Sequence, residues 1–119
     1  MQRELEKYLC DILESIENIR SFRGDMGFAE YQSNRLVQAA TEREFEIIGE
    51  ALRQIEENYP GETAAFPDVP LAIGMRNRLA HGYFTTDPAI LWSAAIDDLP
   101  RLEAAVRERV GEVPDEPPL

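Results

Sequence analysis

The sequence has 119 residues, 44% hydrophobic and 29% charged, which suits one folded domain with a real core and leaves no room for a second. Lys and Arg total 12 against 23 Asp and Glu, a formal charge of −11 that argues against a broad basic face and confines any contact with nucleic acid to a local patch. The single cysteine and single histidine exclude an intrachain disulfide and a zinc site built from several thiolates or imidazoles, so that only carboxylates remain for a hard cation. The charged start Met1-Gln2-Arg3-Glu4 is unlike a signal peptide, and no apolar run approaches the roughly 18 residues of a membrane helix. A cytoplasmic protein with no membrane partner is expected.

From Arg3 to Arg20 the residues Leu5, Leu9, Ile12, Ile16 and Ile19 form one stripe of an amphipathic helix, which Cys10 and Leu13 are expected to widen. Gly24-Asp25-Met26-Gly27 reads as a loop and a new helix start. A second stripe runs from Phe28 to Asn58 through Leu36, Val37, Ala40, Phe45, Ile48, Ala51, Leu52 and Ile55, with a break expected near Gln32-Ser33-Asn34. Asn58-Tyr59-Pro60-Gly61 ends it, and the Pro- and Gly-rich stretch through Pro70 reads as a loop.

A short third helix is expected from about Leu71 to Ala80, stopping at Gly82. Asp87-Pro88 opens a fourth, an N-cap followed by proline at the first helical position, and Pro100 should bend it. The pattern predicts an all-α protein, an antiparallel four-helix bundle with a short third helix, over residues 1–110. Residues 111–119 form an acidic, proline-rich tail expected to be disordered.

Residues 69–86 hold no Asp or Glu while carrying Arg76, Arg78 and His81, the one locally positive stretch of the chain. Arg76 and His81 stand five positions apart, about 140° around a helix, so they converge only where the helix ends or distorts, as Gly82 permits. Arginine offers a planar cation to a phosphate, and histidine exchanges a proton near neutrality.

Arg76, His81 and Tyr83 stand in the spacing R-x-x-x-x-H-x-Y, preceded by Ile73-Gly74-Met75 and with Asn77 after the arginine. Ile47-Ile48-Gly49-Glu50-Ala51 and Asp98-Leu99-Pro100 accompany them. In these motifs the chain resembles the HEPN-domain proteins of the HepT type, over about Leu5 to Val106. Pro70-Leu71 departs from the Pro-Trp common there, a packing detail outside the motif.

The resemblance implies a HEPN-like bundle forming a two-fold homodimer, with Arg76 and His81 of both copies facing one cleft. It further implies a toxic ribonuclease that uses no metal or other cofactor, encoded beside a minimal nucleotidyltransferase antitoxin that in some pairs attaches AMP to the motif tyrosine, here Tyr83. The chemistry of RNA cleavage agrees with a composite site: it uses a base, an acid and a cation near phosphorus, and one histidine cannot easily be both base and acid. A dimer supplies a second His81 and a second Arg76. Arg76 is assigned to the phosphate, His81 to proton transfer, Asn77 to orienting one of them, and Tyr83 to substrate stacking or modification.

Plainer roles stand beside these. A histidine near a helix C-terminus is often a cap, Arg78 suits solvent, and Tyr83 and Phe84 suit the core. Glu50 is either a solvated residue or a partner for Arg76. Trp92 suits the core or a dimer interface, and Cys10 an inert buried thiol. Three functions follow: an RNA endonuclease toxin, a nucleotide-binding or AMP-accepting partner modified at Tyr83, and a catalytically silent helical module whose acidic surface holds a basic partner.

Overall fold

A computed structural model describes residues 2–67 and 87–112. Helix α1 spans Gln2–Arg23, α2 Phe28–Gln32 and α3 Arg35–Asn58. After the turns of residues 59–67 the described chain resumes with α4, Pro88–Ser93, a π-helical turn, Ala94–Asp98, and α5, Leu99–Glu112. The all-helical class is as expected, with no strand among the described residues. No helix of the described residues is long and apolar enough to cross a membrane.

The expected third helix, Leu71–Ala80, lies outside the described residues, as does 113–119. Helix α5 itself continues to Glu112, into the stretch read as tail.

The core forms where the stripes of α1, α3 and α4–α5 meet. Leu9 and Ile12 of α1, Ile48, Leu52 and Ile55 of α3, and Val106 of α5 are fully enclosed, and Phe66 seals one end from the turns after α3. The helices alternate in direction, because Tyr59 reaches Glu4 while Asn18 reaches Glu44, and Arg20 reaches Glu103 while Arg109 reaches Glu62. Burying these side chains is what holds α1 and α3 helical, each enclosed leucine or isoleucine contributing about 1.5–3 kcal/mol.

Several apolar residues expected in the stripes fall outside the core, among them Ile90 and Ile96 of the fourth helix, which are 50% and 42% exposed. Cys10 is exposed, since it sits 100° beyond Leu9, whereas Leu13, only 40° from Leu9, packs on the core as expected. Leu36 is 80% exposed because nine residues, half a revolution, separate it from buried Phe45.

The break between α2 and α3 has a local cause. The Asn34 side chain accepts a hydrogen bond from the Val37 amide at 3.0 Å, capping α3. The Gln38 side chain, nearly buried, donates to the carbonyls of Tyr31 and Gln32 at 2.8 and 2.9 Å, satisfying the end of α2. Gly24, at φ +51°, takes the left-handed conformation that stops α1.

Asp87 caps α4, accepting from the Ala89 amide at 2.9 Å. The interruption expected at Pro100 takes the form of the π turn just before it. The Leu99 amide bonds the carbonyl of Ala94, five residues back, and Pro100 has no amide hydrogen to extend the ordinary ladder.

Candidate functional site

The motif residues Arg76, Asn77, Arg78, His81 and Tyr83 lie outside the described residues. Phe66, 7% exposed, is part of the core before them, and the Asp87 cap begins α4 after them.

Glu50 is the one candidate within the described residues. It stands on α3, its side chain 36% exposed, and accepts from Arg53 at 2.8 and 3.3 Å and from Gln54 at 3.1 Å. Arg53 also reaches Glu57 at 2.8 Å, and hydrogen bonding to Glu50 holds its guanidinium above the ordinary arginine range. The bonds to Arg53 and Gln54 leave both readings of Glu50 open, because Arg76 lies outside the described residues.

Glu50 borders an open groove of about 220 Å³ between α1 and α3, lined also by Tyr8, Asp11, Arg43, Glu46, Ile47 and Ala51. An adjoining hollow of about 290 Å³ continues past Asp11 and Ile47 to Glu14, Ser15, Asn18 and Glu44. Lys7 reaches Asp11 and Arg43 reaches Glu46, each at 3.2 Å, so the cations there are already engaged by carboxylates. Among the described residues the lining of the two hollows carries more carboxylates than cations.

Elsewhere two of the resolved electrostatic shifts belong to ion pairs between distant segments. A hydrogen bond from Arg20 holds Glu103 below the usual carboxylate range, and one from Arg109 does the same to Glu62. Glu42 moves the other way, raised by burial while Arg35 opposes the shift.

A second cluster was not anticipated from the sequence. Tyr31 of α2 is buried at 2% exposure, and its ring centre lies 5.3 Å from that of Trp92, which in turn lies 5.8 Å from Phe28. The Tyr31 hydroxyl makes no hydrogen bond among the described residues, and burial, assisted by Glu42 and opposed by neighbouring Thr41, pushes its pKa up to about 12. Trp92 is half-buried, in keeping with the packing role expected of it. The spacing of Tyr31 and Trp92, 61 positions apart, carries no signal that they meet; only the folding of α2 onto α4 decides it.

Comparison with known proteins adds the family. Residues 12–109 match the family model "Ribonuclease HepT-like". The chain is 36% identical over 107 residues to "Putative RNase MJ1380" of Methanocaldococcus jannaschii, covering 88% of this chain and 95% of that relative. It is 34% identical over 105 residues to "Probable ribonuclease HepT" of Thermococcus cleftensis, covering 87% of this chain and 93% of that one. No solved structure matches. With its Arg76, His81 and Tyr83 at the spacing noted above and the family model spanning its core helices from Ile12 onward, the chain belongs to the HepT-like ribonuclease family.

Proposed function

We propose that the protein is an RNA endonuclease, the toxin of a toxin–antitoxin pair, working through a composite site in which two copies of the chain each supply Arg76 and His81. The observation that carries this reading is that the family match over residues 12–109 encloses Arg76, His81 and Tyr83 at the motif spacing, within the acid-free stretch 69–86.

In this mechanism one His81 takes the 2′-hydroxyl proton as that oxygen attacks phosphorus. His81 of the second copy gives a proton to the 5′ oxygen as its bond to phosphorus breaks, leaving a 2′,3′-cyclic phosphate and a free 5′-hydroxyl. The Arg76 pair stabilises the charge gathering on the non-bridging oxygens, and Asn77 orients the histidine or the phosphate. No step calls for a metal. The antitoxin is a minimal nucleotidyltransferase that transfers AMP from ATP to the Tyr83 oxygen, releasing pyrophosphate.

The test is induction of wild type and of His81→Ala in a host without the partner, with growth and RNA integrity read from the same cultures. Growth arrest and RNA fragments with wild type alone are expected. Equal growth with both proteins folded and soluble overturns the nuclease. For the antitoxin, incubation with the neighbouring transferase and ATP is expected to raise the intact mass by AMP units in wild type and not in Tyr83→Phe.

A further inference from the structure

We propose that the edge formed by α2 and α4 binds an unpaired base of single-stranded RNA, with Trp92 and Phe28 as the stacking surface and Arg23 as the phosphate contact. This rests on the ribonuclease reading and adds to it a substrate contact made by residues the motif does not include.

The first observation is one of charge. Lys7, Arg20, Arg43, Arg53, Arg101, Arg107 and Arg109 each lie within 3.2 Å of a carboxylate oxygen. Arg23 and Arg35 have no ion pair among the described residues, and they bracket α2 in sequence. Arg35 lies in the field of Glu42, whereas Arg23 stands beside the aromatic cluster. On a chain of charge −11, a cation without a carboxylate is available to a phosphate.

The second observation is the geometry of the rings. Trp92 is tilted 59° from Phe28 and 43° from Tyr31, so the three form a wedge rather than a closed stack. Tyr31 is the buried side of the wedge, while Phe28 and Trp92 are partly buried and keep part of their surface open. A partly exposed indole beside an arginine is the combination that single-stranded nucleic acid uses, because every base has a face to stack and every nucleotide a phosphate.

The third observation lies underneath. Arg23, Trp92, Tyr31 and Thr41 border one small pocket of about 10 Å³, room for a single water. Tyr31 and Thr41 are the buried polar members of its lining. The pocket is too small for a base, which must lie over the rings.

Charge and position also discriminate among occupants. Of the two most exposed large apolar residues among the described ones, Leu36 at 80% and Ile90 at 50%, Leu36 lies on α3 and Ile90 sits two positions and 200° from Trp92 on α4. An apolar protein surface would use them, and a base does not. Asp25 and Glu30 are exposed nearby, though Glu30 faces 200° from Phe28 around α2, so binding is modest and disfavours double-stranded RNA with its denser charge.

Trp92 is the only tryptophan, so its emission reports the site directly. The experiment titrates the full-length His81→Ala protein, which does not consume the probe, with a 12-nucleotide oligouridylate and oligoadenylate and with a duplex of the same length. Fluorescence and the anisotropy of labelled RNA are read together. Saturable quenching by the single strands and not by the duplex is expected. Arg23→Gln should weaken binding about threefold and lower the salt dependence by about one phosphate, and Phe28→Ala should weaken it about fivefold.

Should RNA bind by anisotropy with Trp92 emission unchanged, or with Arg23→Gln indistinguishable from its parent, the contact is elsewhere and the proposal fails while the nuclease reading stands. Should wild type neither bind nor cleave RNA, the nuclease reading fails, and this site with it. Arg23→Gln alters only a half-exposed side chain without an ion pair among the described residues, so it provides a folded comparison even if Phe28→Ala does not fold.

Discussion

Arg20 and Glu103, 83 positions apart in sequence, face each other at two points: Nη2 to Oε1 at 2.7 Å and Nη1 to Oε2 at 3.3 Å. The pair ties the last turns of α1 to the first turns of α5, just beyond the π turn. Glu103 is 15% exposed at its side chain and takes Arg107 as well, at 3.1 Å, so its loss removes two ion pairs, although Arg20 keeps Glu17 at 2.8 Å. Glu103→Ala is expected to destabilise the fold by about 1 kcal/mol, lowering the melting temperature by about 4 °C. Arg107→Ala, on the exposed side, should change it by less than half of that. Thermal melts of both variants check the difference.

Acid should weaken the fold through the same kind of tie. Glu103 and Glu62 have folded-state pKa values held below the ordinary carboxylate value, so the stability they contribute is present above about pH 4.5. It is lost as pH falls through their lowered values. Glu42 is raised, and its sign is opposite: its protonated form favours the fold, and that contribution is complete below the ordinary value and gone at neutral pH. Glu42→Gln is therefore expected to stabilise the protein at pH 7 and to have no effect near pH 3. Urea unfolding of wild type and variant between these limits measures both trends.

The Tyr31 hydroxyl is a buried polar group with no hydrogen-bond partner among the described residues, and its ring already packs against Trp92. Tyr31→Phe keeps the ring and removes the penalty, so a gain of about 1 kcal/mol in unfolding free energy is expected. A loss of that size would mean that a water in the small pocket satisfies the hydroxyl.

Cys10 is exposed, yet burial of its sulfur in part and the nearby Glu6 and Asp11 raise its pKa. The folded protein should react with a maleimide to completion, more slowly than a free thiol at pH 7, where the thiolate is the nucleophile. Cys10→Ser should leave the melting temperature unchanged within about 1 °C, because no core contact is removed.

The helical class, α1 and the stretch from Phe28 to Asn58 were legible because apolar residues at spacings of three and four leave one face to bury. The Asp87 cap, the break near Asn34 and a disturbance of the helix at Pro100 were legible too, since each acts on backbone groups within a few residues of itself. The motif of Arg76, His81 and Tyr83, and with it the family, was likewise readable as residue types at a spacing.

What the tertiary structure decided are the relationships that cross the chain. Whether Cys10 and Leu36 enter the core depends on which arc of a helix its neighbours cover, and periodicity does not state the width of that arc. The partner of Arg20 was one carboxylate among 23, chosen only by the antiparallel approach of α5 to α1. The meeting of Phe28, Tyr31 and Trp92 beside an arginine without an ion pair is of the same kind, a contact between distant segments that exists only once packing of the core has set α2 against α4.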